Sequence, residues 1–471
     1  MLAAGAGTRF GGAKLEARVD GKPILQHVLD ALAEAGLDDP VVVVAGQPFR
    51  VRMDWWRAEQ VVNPDPSRGL SSSLRIGWDA ALIGKPAGES PEALIVALGD
   101  QPLVRPEVIR ALAAAPLDAS RPIIAPRYEG SGAHNPLRLD ATAARLVKQV
   151  SGDRGLGPLL AAQPELVRWL DTPGDNPDVD SQDDLARVAE IAWADRVRRN
   201  RQQVDRLRET PDGPDFYRAV SAIFRDDPDR AGDPVLDALR RHARRDDTWL
   251  DIGAGAGRYA LPLARTVGNV IALDPSPSML DSLHGAMRQH RIDNVSVVAG
   301  RWPEAIDAEL GPLAHAGALP VDVSLIAHVG YDVEAIGPFV DAMERASRRE
   351  CLAVLMERSP AVLAEPFWPP LHQEARVPLP ALPAFVDLLA ARGRRPTVEM
   401  VEASRRRWAN RDEVERYVRR QTWVASGTSK ERRMQELLDD WLVANDDGTV
   451  GLSIAEPLKI GLVAWQPSSA P

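Results

Sequence analysis

Short apolar runs alternate with stretches of helical periodicity along the first 190 residues. "PVVVVAG" (40–46) and "EALIVALGD" (92–100) are continuously apolar and bounded by turn residues, the pattern of strands buried on both faces. "PILQHVLDALAEAG" (23–36) places apolar residues three and four apart and stops at Gly36, while "PEVIRALAAA" (106–115) opens with Pro at its first turn; both read as helices. The pattern changes near 183–215, where the long charged helical stretch "DDLARVAEIAWADRVRRNRQQVDRLRE" is broken by "TPDGPD". From about 216 a second alternation begins. Strands are expected at "TWLDIG" (248–253), "VIALD" (270–274), "VSVVAG" (295–300), "DVSLIAHV" (322–329), "CLAVLMER" (351–358), "TVEMVEA" (397–403) and "LKIGLVAW" (458–465). The Pro-rich "PFWPPLHQEARVPLPALP" (366–383) reads as an ordered loop. Alternation with unbroken apolar strands predicts mostly parallel sheets with helices on both faces. The expected fold class is α/β: a three-layer domain over 1–190, a helical linker over 191–215, and a second three-layer domain over 216–471 with a helical insert at about 411–444.

A length of 471 residues suits two or three domains. With 45% hydrophobic and 26% charged residues the chain is globular rather than disordered. Its net charge of −10 repels phosphate on average, which argues against a general nucleic-acid or anionic-membrane binder. Cys351 is the only cysteine; it excludes an intrachain disulfide and a multi-cysteine metal site, and it reads as a small buried hydrophobe. No run has the length of a membrane span and no signal-peptide pattern opens the chain, so a cytoplasmic protein acting on small molecules is expected.

Candidate chemistry begins at "MLAAGAGTRFGGAK". Gly5 and Gly7 let backbone N–H groups turn toward an anion, a following helix would add its positive end, and Arg9 and Lys14 supply full charges. Such a set can hold a triphosphate; the plain alternative is an ordinary turn. "ALGDQPLV" puts Asp100 at the carboxyl end of a buried strand, where ligands of open α/β sheets bind and where a carboxylate beside phosphates suits Mg²⁺. Asp180 lies in "PDVDSQDDLA", where Asp178, Asp180 and Ser181 could equally cap a helix. Ser71, Ser72 and Ser73 in "RGLSSSLRIG" suit ligand hydrogen bonds or capping.

"LAAGAGTRFGGAK", "NPDPSRGLSSSLRIGW", "LGDQPLV", "GAHNPLRL" and "DVDSQDDL" follow in the order seen in the molybdenum cofactor nucleotidyltransferase family, which residues 1–190 resemble. The resemblance implies a Rossmann-like sheet and transfer of a nucleoside monophosphate from an NTP to the phosphate of molybdopterin, with Mg²⁺ and release of pyrophosphate. It puts Gly5, Gly7, Arg9 and Lys14 on the nucleotide phosphates, with Ala4, Ser71 and Ser72 in the nucleotide-binding set. Arg9, Lys14 and Asp100 become the catalytic residues, and Asp100 and Asp180 the metal ligands. "LAAG" and "GLSSSL" resemble the cytidylyl-transferring branch, so CTP is the expected nucleotide. His134-Asn135-Pro136 departs from the family spacing at the acceptor side. Molybdoenzymes or their chaperones are the implied protein partners. The family's first strand is longer than Met1–Ala4, so a start upstream of Met1 is expected. A sugar phosphate as acceptor, and a catalytically silent first domain that only binds, are the alternatives.

"WLDIGAGAGRYALPLA" sits where a strand becomes a helix, with Gly253, Gly255 and Gly257 permitting close ligand approach and Asp274 ending the next strand. Asp251, ahead of the first glycine, suits a cationic amino-acid ligand better than a pyrophosphate, and the spacing is not that of dinucleotide binders. With "VIALDPSPSML", "VVAGRWPE" and "DVSLIAHVGYDV" in order, the stretch resembles class I S-adenosylmethionine-dependent methyltransferases. That resemblance implies a second Rossmann-like sheet. It puts Asp251 and the glycines by the methionine moiety and sugar, Asp274 on the ribose hydroxyls, and Arg301 and Trp302 at the adenine. Met279 could flank the adenine or sit in the core. His328 and Tyr331, at the end of the fourth strand, face the methyl-transfer region or serve packing. The Arg-rich "SRRRWANRDEVERYVRRQTW" reads as an amphipathic helix with a solvated charged face, or as a lid over an anionic acceptor. A domain that binds S-adenosylmethionine only as a sensor is the remaining alternative.

Overall fold

The structure, a computed structural model, describes every residue except 6, 38, 56, 83–90, 131–133, 153–154, 211–225, 307–318, 403–404 and 469–471. Contacts divide the chain into two units, Met1–Ala192 and Trp193–Pro471.

In the first unit β1 (Leu2–Ala3) is followed by a small hairpin of β2 (Arg18–Val19) and β3 (Lys22–Pro23), and then by α1 (Ile24–Glu34). The four valines of β4 (Val41–Val44) make a buried strand, since β-branched side chains suit a pleated surface covered on both sides. β5 (Glu59–Val62), α2 (Leu70–Leu82), β6 (Ala93–Val96) and α3 (Pro106–Ala114) continue the alternation. β7 (Ile123–Tyr128), β8 (Leu137–Asp140), α4 (Ala144–Gln149), α5 (Gly157–Ala162) and β9 (Val167–Thr172) complete it. β1, β4 and β5 pair in parallel in the order β1-β4-β5, and a bridge from Leu2 to Leu98 joins them to the order β6-β8-β7-β9, where only β8 runs antiparallel. Leu74, Trp78, Leu146, Val147 and Leu160 close one face, while Val108 and Leu112 of α3 pack with Ile124 on the other.

β1 stops short of its neighbours. The Met1 amine donates to Val41 O at 2.7 Å, and burial pushes its pKa down to about 5. Beside it a cavity of about 710 Å³ runs between β4 and β6, lined by Met1, Leu2, Val41, Trp78, Ala93 and Arg138. This cavity lies at the amino ends of the strands, away from the edge that carries Asp100.

α6 (Gln182–Leu207) begins in the first unit, and from Trp193 onward its residues belong to the second. There Trp193 Nε1 donates to Val333 O at 2.8 Å, Asn200 Nδ2 to Val377 O at 2.5 Å, and Gln203 Nε2 to Ala375 O at 2.7 Å. The stretch read as a linker is therefore helix packed into the second unit as far as Leu207; residues 211–215, including most of the "TPDGPD" break, lie outside the described residues.

The second unit continues with α7 (Pro234–His242), whose N-cap Asp233 accepts from the backbone N–H groups of Val235 and Leu236. β10 (Thr248–Ile252), α8 (Ala260–Ala264), β11 (Asn269–Asp274), α9 (Pro277–His290), β12 (Val295–Ala299), β13 (Val321–Ala327), α10 (Ile336–Ala346) and β14 (Ser347–Met356) follow. Then come α11 (Trp368–His372), α12 (Leu382–Ala391), β15 (Thr397–Glu402), α13 (Arg411–Thr422), α14 (Ser429–Trp441), the hairpin β16 (Leu442–Ala444) and β17 (Val450–Leu452), and β18 (Lys459–Trp465). The sheet order is β12-β11-β10-β13-β14-β18-β15, parallel except for β18. The expected loop over 366–383 is helical in part: a 3₁₀ segment, Val362–Phe367, runs into α11 because the fully buried Phe367 and Trp368 anchor it. The helices of the insert enclose a separate core of Phe367, Trp408, Val414, Met434 and Leu438. Both units are thus three-layer, mostly parallel α/β folds. No helix among the described residues is long and apolar enough to cross a membrane.

Candidate active sites

In the first unit the carboxyl ends of β1 and β6 lie side by side, since Gly99 N donates to Leu2 O at 2.8 Å. This brings the glycine turn next to Asp100. Gly7 has φ +59°, and a Cβ there would meet Gly12 O at 2.6 Å, so the turn requires glycine. Gly5 is exposed, and Ala4 is buried behind the turn. The expected helix dipole is not realised: the turn leads into a three-residue 3₁₀ segment, Lys14–Glu16, because the β2–β3 hairpin intervenes before α1. The loop's cationic character therefore rests on its side chains.

Lys14 Nζ lies 2.7 Å from Asp100 Oδ2 and 3.0 Å from Asp180 Oδ1. Burial lowers its proton affinity, but Asp100 and then Asp180 outweigh this and hold the ammonium above its ordinary pKa. Arg9 reaches Asp180 from the exposed side at 3.5 Å. α6 is capped by Ser181, whose Oγ accepts from Asp184 N while the Asp184 carboxylate accepts from Asp180 N and Ser181 N, leaving the Asp180 carboxylate to face Lys14. Asp100 Oδ1 is buried without a hydrogen-bond partner. Two carboxylates converging on one cation, one with a buried oxygen unsatisfied, fit a divalent metal. Asp178, which the sequence suggested only as a cap, stands behind them; burial, then Asp100, push its carboxyl up to about 6, and Gln101 Nε2 donates to it at 2.5 Å.

The serines divide. Ser72 and Ser73 accept from Asn63 Nδ2 at 2.9 Å each, and Ser72 donates to Gly69 O, so Ser72 holds the loop that precedes α2. Ser71 Oγ, at the start of α2, is buried without a partner. Asn63 was not anticipated, because a contact nine and ten residues away leaves no periodic signal. On the acceptor side His134 packs edge-on against Trp169 at 4.8 Å, and its Nδ1 is buried without a partner.

In the second unit the glycine turn lies where β10 ends, beside the end of β11. Gly253 has φ +75°, and a Cβ there would meet Val329 Cγ2 at 2.5 Å. Gly257 has φ +89°, and a Cβ on it would fall 2.5 Å from Leu283 Cδ1. Gly255 N donates to Asp274 Oδ2 at 2.9 Å and Ser276 N to Asp274 Oδ1 at 2.8 Å, so backbone donors fix the Asp274 carboxylate. Asp251 is buried; burial first, then Asp274, push its carboxyl up to about 7. Trp302, expected at the adenine, is buried edge-on to Phe339 and donates to Phe339 O at 3.2 Å. Arg301 beside it is exposed, and Met279 is buried with its sulfur 3.9 Å from the place of a Cβ on Gly255. His328 has φ +58°; burial, then Arg258, push its imidazole down to about 4, and Nδ1 lies 3.4 Å from the Tyr331 hydroxyl. That hydroxyl accepts from Met356 N at 2.7 Å, which gives Tyr331 a structural role.

Comparison with known proteins finds similarity in both units. Residues 1–167 match the family model described as MobA-like NTP transferase domain, and residues 250–314 match that described as methyltransferase domain. A probable molybdenum cofactor guanylyltransferase of Thermococcus kodakarensis is 31% identical over 131 residues, 27% of this chain and 58% of that one. The bifunctional protein GlmU of Symbiobacterium thermophilum is 34% identical over 121 residues, 25% of each chain. The chain thus spans about half or less of the length of these relatives. The crystal structure of an S-adenosylmethionine-dependent methyltransferase from Thiobacillus denitrificans, in complex with S-adenosyl-L-homocysteine, aligns with a TM-score of 0.34 at 15% identity, covering 55% of this chain and all of that one. The chain is thus similar to MobA-like NTP transferase domains over residues 1–167 and to methyltransferase domains over residues 250–314.

Proposed function

We propose that the first unit transfers a nucleoside monophosphate to the phosphate of a molybdopterin-type acceptor, and that the second transfers a methyl group from S-adenosylmethionine to a small molecule. The observation that carries the first half is Lys14 held between Asp100 and Asp180 at the sheet edge. An acceptor phosphate oxygen bonds to the α-phosphorus of the NTP, the bond from that phosphorus to the α–β bridging oxygen breaks, and pyrophosphate leaves. Asp100 and Asp180 would hold Mg²⁺, whose charge would offset that of the triphosphate. Lys14 exchanges its carboxylate partners for phosphate oxygens, and the exposed Arg9 swings onto the departing pyrophosphate. For the base we take GTP in place of the CTP expected from "LAAG", because two of the relatives are named probable molybdenum cofactor guanylyltransferases.

The test is pyrophosphate release from the purified chain with Mg²⁺, GTP or CTP, and either molybdopterin or a hexose 1-phosphate. GTP with molybdopterin is expected to give the highest rate, and Asp100→Asn is expected to lower it by about 10²–10³. Equal rates for Asp100→Asn and the parent chain would overturn the assignment; faster release with hexose 1-phosphate would move the acceptor to that class.

In the second unit Asp251 would pair with the amino group of the methionine moiety and Asp274 with the ribose hydroxyls. Methyl transfer is an in-line displacement from sulfonium to a nucleophile, so the protein's contribution is mainly alignment.

A further inference from the structure

Several arginines in and beside the insert are matched by acids. Arg407 pairs with Asp447, Arg411 with Asp439, and Arg419 with Glu415 and Glu431. Arg376 and Arg406 differ. Arg376 lies over the Trp368 ring at 5.0 Å and donates to Gln421 O at 3.3 Å; Arg406 lies over Trp408 at 5.6 Å and Tyr417 at 5.3 Å. Among the described residues neither has a carboxylate in ion-pair contact. Glu365 is the acid whose charge bears on Arg376, and it is already engaged by Arg358. Burial pushes the Arg376 guanidinium down to about 10, the mark of a cation short of water and of counter-charge. The indole Nε1 of Trp408 is also buried without an acceptor. The place thus has cations and a donor in excess of oxygens.

Its position gives this excess a meaning. Tyr417, on which both Arg406 and Arg376 bear, donates from its hydroxyl to Pro360 O at 3.0 Å. Pro360 lies four residues beyond the end of β14, and β14 is tied at Met356 to Tyr331, the neighbour of His328. Tyr417 is thus tied to the loop that leaves the carboxyl end of β14, in the sheet whose carboxyl edge carries Gly253 and Asp274.

We infer that Arg376 and Arg406 bind the anionic oxygen group, carboxylate or phosphate, of the small molecule that accepts the methyl group. An oxyanion between them would receive charge-assisted hydrogen bonds from both guanidiniums and lie against the Tyr417 ring. The inference rests on the methyltransferase reading of the second unit and adds the acceptor's chemical class to it.

The test uses the full chain saturated with S-adenosylhomocysteine and titrated calorimetrically with benzoate, phenyl phosphate and neutral benzamide. At least one anion is expected to bind about tenfold or more tighter than benzamide, and the tighter anion names the group. Arg406→Gln, at an exposed residue, and Arg376→Gln are each expected to weaken that anion about tenfold, with affinity for S-adenosylhomocysteine unchanged. Arg376→Lys is expected to retain part of the binding. Anion binding indistinguishable from benzamide, or unaltered in Arg406→Gln, would overturn the inference. Failure of the parent chain to bind S-adenosylhomocysteine in the preceding titration would instead remove the methyltransferase reading, and with it the acceptor role.

Discussion

Asp251 is buried next to a second carboxylate, and that placement ties ligand affinity to pH. Its folded pKa of about 7 stands far above an ordinary aspartate. In the empty protein the protonated form therefore favours the fold at low pH, and this contribution is lost as pH rises through about 7. A ligand ammonium group favours the ionised form, so binding below about pH 7 must expel a proton. Affinity for S-adenosylhomocysteine is expected to fall about tenfold between about pH 8 and pH 6, and Asp251→Asn to bind weakly with no such slope. Calorimetry at the two pH values decides it; a parallel slope in Asp251→Asn would assign the dependence elsewhere. In the first unit the corresponding check is on the metal-type pair. Magnesium with GTP is expected to raise the melting temperature of the parent chain, and Asp180→Asn to lose most of that rise, as read by thermal denaturation.

At the scale of elements, the turns after β1 and β10 depend on glycines that no other residue replaces. Gly257→Ala places a Cβ against Leu283 and Leu261 in a left-handed backbone conformation, and is expected to cost about 1–3 kcal/mol in denaturant unfolding of the second unit. The strands that were legible are apolar runs bounded by turn signals, as in Val41–Val44 and Asn269–Asp274, whereas β5, β7, β8 and β9, interrupted by polar or charged residues, were not. The carboxyl-edge residues Asp100, Asp251 and Asp274 followed from those strands. What escaped the sequence was set by distant partners. Lys14–Glu16 became a 3₁₀ turn because a hairpin follows it, and Val362–His372 became helical because Phe367 and Trp368 found a core despite Pro366, Pro369 and Pro370. Trp302 turned inward to Phe339, and Ser72 to Asn63, for the same reason. A local pattern reports periodicity, not the identity of the group across the core.

For the molecule as a whole, α6 shows that the chain's units do not divide at a loop. Asn200 and Gln203 hydrogen-bond the main chain at 375–377 from the second half of that helix. The double substitution Asn200→Ala with Gln203→Ala is expected to destabilise the second unit by about 1–3 kcal/mol, visible as an earlier transition in urea; an unshifted midpoint would show the helix to be ornamental there. Lys14 carries a different consequence. Two acids aimed at one spot repel each other in an apo-enzyme, and many such clusters rely on a guest to hold them together. Here a tethered ammonium occupies the spot from within the same chain. The mutual repulsion of Asp100 and Asp180 is thus offset from within the chain, and an arriving cation has to displace an ammonium rather than enter an uncompensated acidic site.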